Sequence, residues 1–119
     1  MRYFLGIYED ETRWAQLSPE ETELEMKSYD AFGVEVKAAG AYVTGEALHP
    51  TSAATTIRLR DDDALTTDGP FAETKEQLGG YFIVDCKDLD EAAKWAAKIP
   101  GARTGSIEVR PVMEFDQQQ

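Results

Sequence analysis

The strand that opens this chain is apolar on both of its sides. From Arg2 to Tyr8, alternation puts Tyr3, Leu5 and Ile7 on one face and Phe4, Gly6 and Tyr8 on the other. A sheet with one face in water carries polar residues on that face. The run Tyr81 to Cys86 repeats the pattern, with Tyr81 and Ile83 opposed to Phe82, Val84 and Cys86. Whatever fold contains these two strands must therefore shelter both sides of the sheet they build.

The remaining elements decide how one side is covered. Ser18-Pro19-Glu20-Glu21 is a helix start: Ser18 caps, Pro19 suits the first helical position, and Glu21 completes a capping box. The helix is predicted from Pro19 to Ala39, with Leu24, Ala31, Phe32, Val36 and Ala39 as its buried stripe and Gly40 as its stop. Glu9 to Leu17 reads as a polar connection around Trp14. Ala41 to Leu48 is predicted as a strand, and Thr55 to Arg60 with Ala64 to Thr67 as a hairpin about Asp61-Asp62-Asp63. Asp68 to Gly80 reads as a loop with one helical turn near Thr74 to Leu78. Asp88 and Glu91 open a second helix with Leu89, Ala92, Ala93, Ala96 and Ile99 as its stripe, ended by Pro100-Gly101. Gly105 to Phe115 is the last strand, and Pro111 within it argues for a sheet edge or a bulge.

The order is β-α-β, a hairpin insert, then β-α-β, which predicts an α+β, ferredoxin-like βαββαβ fold. In such a split arrangement both helices lie on the same side. The opposite apolar face is then expected to pair sheet-to-sheet with a second copy about a two-fold axis, as a dimeric α+β barrel. The alternative cover is the insert itself, Pro50 to Gly80, folded over that face.

Composition narrows the function classes. The 119 residues suit one domain, placed at residues 1–115, with 116–119 as a frayed tail. Lys and Arg number 12 against 23 Asp and Glu, a net charge of −11, which repels nucleic acid and anionic lipid, so neither is an expected partner. The single cysteine, Cys86, permits no intrachain disulfide and no cysteine-based zinc site; between Val84 and the second helix it reads as a packed thiol. The apolar opening runs six residues, Tyr3 to Tyr8, before Glu9, Asp10 and Glu11; that is too short for a signal-peptide core, and a cytoplasmic location is expected. With no phosphate-binding glycine loop, no Ser-His-Asp set and no zinc spacing, neither cofactor nor metal is expected.

One block is distinctive: Asp68-Gly69-Pro70-Phe71-Ala72-Glu73-Thr74-Lys75-Glu76-Gln77-Leu78-Gly79-Gly80. It resembles the signature loop of the DGPF-domain branch of the YCII-related proteins. The resemblance continues through Leu89-Asp90-Glu91-Ala92, Trp95-Ala96 and Glu108-Val109-Arg110-Pro111-Val112, and at the front through Tyr8, Trp14 and Leu17-Ser18-Pro19-Glu20. It implies the same dimeric α+β barrel. It implies no settled activity: members of this branch are often encoded beside extracytoplasmic-function sigma factors, and a distant YCII-type relative is a dehydrochlorinase for which a His–Asp pair is proposed. That histidine lies near the start of the first helix. Here the helix from Pro19 to Ala39 has none, so the pair does not carry over.

The candidate site residues follow from chemistry and from the block. Asp68, at the end of a strand, is a candidate acid/base or ligand anchor, although Asp-Gly-Pro is also ordinary turn chemistry. His49, the only histidine, belongs to the residue type best suited to moving protons, and it is the second catalytic candidate. Tyr8, Tyr42 and Tyr81 are candidates to line a cavity. Phe71, Glu73 and Lys75 belong to the signature loop, with Thr74 as a cap between them. Arg58 shares a strand face with Arg60 and is a candidate anion contact, with a solvated face as the plainer reading. Asp61, Asp62 and Asp63 lack the spacing of a calcium loop. Three functions remain open: a homodimer that binds a small molecule near the signature loop, a cofactor-free lyase or isomerase using Asp68 and His49, and an interaction module tied to a sigma factor.

Overall fold

The computed structural model describes residues 1–115, so the predicted 116–119 tail lies outside the described residues. The elements are β1 (Arg2–Glu9), α1 (Thr12–Gln16), α2 (Pro19–Ala38), β2 (Tyr42–Ala47), a 3-10 turn (Thr51–Ala53), β3 (Thr55–Arg60), β4 (Asp63–Asp68), β5 (Gln77–Asp85), α3 (Leu89–Lys98), a second 3-10 turn (Pro100–Ala102) and β6 (Ser106–Pro111). Four strands form one antiparallel sheet in the order β2-β5-β1-β6, and β3-β4 form a separate hairpin. This is the ferredoxin-like α+β arrangement with an insert between its second and third core strands.

Local chemistry explains the boundaries. Ser18 accepts from the Glu21 backbone N–H while the Glu21 carboxylate accepts from the Ser18 N–H, closing the capping box on α2. Asp88 caps α3 by accepting from the Glu91 N–H. Asp61 and Asp62 both take positive φ, the conformation of the tight two-residue hairpin turn whose twist suits the strands. Pro111 ends β6, and β6 is an edge of the sheet, where a residue with no N–H to donate costs nothing.

The core lies between one sheet face and both long helices. Leu5, Val84, Val36 and Ile99 are fully buried there. The Phe32 ring meets Phe82 edge-on at 4.9 Å and Trp95 at 6.2 Å, tying α2 to β5 and α3. The helix stripes differ from the sequence reading. On α2 the inward residues are Glu25, Tyr29, Phe32 and Val36, while Leu24 is 65% exposed and Ala31 and Ala39 are exposed. On α3, Ala92, Ala96 and Ile99 are buried but Leu89 and Ala93 are not. Leu24, Ala31 and Ala93 each lie one position off the stripe, and a helix turns about 100° per residue; Ala39 and Leu89 keep the spacing but stand at helix ends. The connection before α2 contains the short helix α1. No helical turn forms at Thr74 to Leu78: Thr74 and Gln77 side chains bond the local backbone instead, and β5 already begins at Gln77. The last strand stops at Pro111, short of Phe115.

Alternation and register put Phe4, Tyr8, Tyr81 and Ile83 on the face away from the helices. The rings of Phe4 and Tyr81 stack at 5.9 Å, and Phe4 and Tyr8 close over Gly6, where an added Cβ would lie 2.6 Å from the Phe4 ring. The insert does not cover this face. Every β3 and β4 residue except Thr56 is exposed, with Ile57 at 67% and Leu59 at 63%. The radius of gyration, 16.6 Å, exceeds the roughly 13.5 Å of a compact chain of this length, as a projecting arm requires.

Candidate functional site

A hollow of about 500 Å³ opens on the helix side of the sheet, at the end where β2, β5 and β1 run toward α1 and α2. Its floor exists because the strands supply small residues where the core elsewhere has large ones. Ala47 faces Gly80, Gly45 faces Phe82, and Ile7 faces Gly80 across the ladders. Two of these glycines are enforced by close approach: a Cβ at Gly80 would sit 2.8 Å from the Glu46 carbonyl oxygen, and one at Gly45 would sit 2.5 Å from the Phe82 ring. The register of β1 on β5 shifts between Ile7 and Tyr8, so Gly79 is an unpaired bulge residue. The shift places Gln77 opposite Glu9, and the Gln77 side-chain oxygen accepts from the Glu11 N–H at 3.0 Å.

Two acidic side chains, Glu9 and Glu11, structure the walls. Glu9 continues the buried stripe of β1 and is only 8% exposed. Its carboxylate accepts from the Thr104 hydroxyl and, at 3.5 Å, from the Trp14 indole N–H, and Arg13 Nη1 lies 3.6 Å away. Arg13 also donates to Glu25 at 3.0 Å, so one guanidinium serves two carboxylates; its Nη1 and Glu25 Oε2 are buried without a hydrogen bond. Glu11 reaches across to the Thr51 N–H at 2.8 Å and to the Thr51 hydroxyl, which pins the 3-10 turn and with it the wall formed by Leu48, His49 and Pro50. Asp30, on α2, reaches the rim exposed, and among the described residues it has no hydrogen-bond or ion-pair partner.

Burial, then the Glu9 charge beside it, pushes the Tyr29 phenol up to about 12, against a backbone hydrogen bond at Gly101 that acts the other way. Unfolded, the phenol ionises near 10, so the folded state holds this proton more tightly. The resulting stability is complete below pH 10 and is lost as pH rises from 10 toward about 12. Thermal melts across that interval should therefore show a steeper fall for the wild type than for Tyr29→Phe.

The residues anticipated from sequence fall in four places. His49 lines the hollow. Tyr8 and Tyr81 lie on the opposite sheet face, where the Tyr8 hydroxyl donates to Glu108 at 3.3 Å. Tyr42 is on the helix side, its ring edge-on to Phe82 and 4.8 Å from the Lys37 ammonium. Arg58 and Asp68 are exposed on the arm, and Phe71, Glu73, Thr74 and Lys75 are exposed in the loop that follows. The signature block reaches the hollow through its last four residues, Gln77 to Gly80, rather than through its first. Sequence reading missed Glu9, Glu11, Trp14 and Tyr29. The signal for Glu9 was present, since it extends the alternation Tyr3, Leu5, Ile7 onto a carboxylate.

Among the described residues no three His, Cys, Asp or Glu are grouped to hold a metal ion, and no helix is long and apolar enough to cross a membrane. Fold and site together define a ferredoxin-like domain with a helix-side cavity walled in part by the last four residues of the signature block, Gln77 to Gly80. The chain belongs to the YCII-related domain family, whose model it matches over residues 1–116. It is 41% identical over 114 residues, 94% of this chain and 92% of the relative, to an uncharacterized protein of Rhizobium meliloti (strain 1021).

Proposed function

We propose that this chain is a cytoplasmic, homodimeric small-molecule-binding protein of the DGPF branch of its family, and that the helix-side hollow is its binding site. The observation that supports this most is the hollow itself: about 500 Å³, largely apolar, with a few polar groups held by a network of their own. That is the usual constitution of a small-ligand site. The dimer reading draws support from the aromatic outer face, which the chain's own insert leaves uncovered. The proton-transfer alternative has less behind it, because Asp68 is exposed on the arm and outside the hollow, leaving His49 there without it.

A thermal-shift screen of small molecules on wild type, Gly79→Leu and Asp68→Asn tests the reading. Gly79 has nothing within 4 Å of a built Cβ and an unstrained φ, so leucine should fill the hollow while the fold stays intact. A true ligand at about a hundred times its Kd should stabilise wild type by roughly 2.7 kcal/mol, a shift of several degrees. That shift should vanish in Gly79→Leu and persist in Asp68→Asn. Hits that ignore Gly79→Leu but require Asp68 would move the site to the arm and revive the proton-transfer alternative.

A further inference from the structure

The lining of the hollow carries carboxylates and no fixed cation. Glu9, Glu11 and Asp30 contribute to it, and among the described residues no lysine or arginine does; Glu46 borders it, but opposite Tyr81 its side chain falls on the other sheet face. Arg13 stands behind Glu9, outside the lining, and is shared with Glu25, so it offsets only part of this charge. The acids are spread around an apolar space walled by Trp14, Met26, Leu78 and Phe82 rather than drawn together. A bare divalent ion needs several oxygens converging on one point, and the described residues offer no such group. An organic cation needs something else: room for an apolar body, an aromatic face, and a carboxylate within reach of its charged head. Glu9, nine-tenths buried, acts where water screens its charge poorly, and a carboxylate or phosphate entering there would meet repulsion.

We infer that the hollow takes an organic cation, an amine borne on an apolar body of about the size of an aromatic ring system. This rests on the hollow being the binding site proposed above. The amine sits toward Glu9 and Asp30, and the body lies against Trp14 and Phe82.

Three probes share one ring and differ in the head: tryptamine (ammonium), tryptophol (hydroxyl) and indole-3-propionate (carboxylate). Each is titrated into ¹⁵N-labelled protein at physiological ionic strength. Tryptamine is expected to move the amide signals of Gly45, Gly79 and Gly80 and to bind about tenfold more tightly than tryptophol. Indole-3-propionate should leave those signals in place. Asp30→Asn, which breaks no contact of the fold, should weaken tryptamine about threefold and leave tryptophol unchanged. Equal or tighter binding of tryptophol or indole-3-propionate at these glycines overturns the cation inference while upholding the binding site. Tryptamine shifts that spread over the acidic surface and persist in Gly79→Leu overturn it as well. Silence from all three probes overturns it too, and the thermal-shift screen then decides separately whether the hollow binds anything.

Discussion

Gly105→Ala is expected to cost about 3 kcal/mol of stability, at the upper end for a single added methyl group. The added Cβ would lie 2.1 Å from the Tyr8 carbonyl oxygen, 2.7 Å from Glu9 Cγ and 3.1 Å from Glu9 Cα. Two of those three atoms are backbone, so no side-chain rotation relieves the clash. The turn entering β6 must move away from the end of β1, which draws the Thr104 hydroxyl off Glu9 and leaves a nine-tenths buried carboxylate with fewer partners. Urea denaturation of Gly105→Ala against wild type measures the loss. Gly79→Ala is the matched control, because its new methyl meets open space and should change stability by less than about 1 kcal/mol. Equal losses in the two variants would mean that Gly105 is not under the constraint its surroundings impose.

The fold was legible because its signals are local and repeated. Two caps, at Ser18 and Asp88, start the long helices where the sequence places them, and the doubled apolar pattern of Tyr3 to Tyr8 and Tyr81 to Val84 marks the two central strands. Pro111 signals a sheet edge or a bulge, and the edge is the one it marks. The hollow was not legible for a different reason. It is made of what is missing, the side chains of Gly45 and Gly80, and those glycines come together only through the pairing of β2 with β5. Glu11 and Thr51 are 40 residues apart and meet only once β1 and the insert are placed. The bulge at Gly79 also reverses which side of β5 its first residues face, and no alternation rule applied along the sequence anticipates a skipped residue. The unusual residues stand at the front of the signature block, while its back, Gln77 to Gly80, shapes the cavity.

Ile83→Glu is expected to turn the proposed dimer into monomers, weakening self-association by about a hundredfold or more. Ile83 lies on the outer face of the central strand β5, paired with Phe4 on β1 and with Thr44 on β2. In a face-to-face pair about a two-fold axis, one substitution places two carboxylates in the same apolar layer, and each must be desolvated without a partner. The chain's charge of −11 adds to the repulsion. The fold itself should tolerate the change, because Ile83 contributes nothing to the helix-side core formed by Leu5, Val84, Val36 and Ile99. Sedimentation equilibrium over a range of micromolar concentrations, with circular dichroism as the check on folding, distinguishes the outcomes. A wild-type protein that sediments as a stable monomer sinks the dimer reading outright. A dimeric wild type whose Ile83→Glu variant is equally dimeric moves the interface off this face. A further candidate surface is then the arm, where Ile57 and Leu59 stand exposed on a two-stranded ribbon, an element that has little stability of its own without something to pack against.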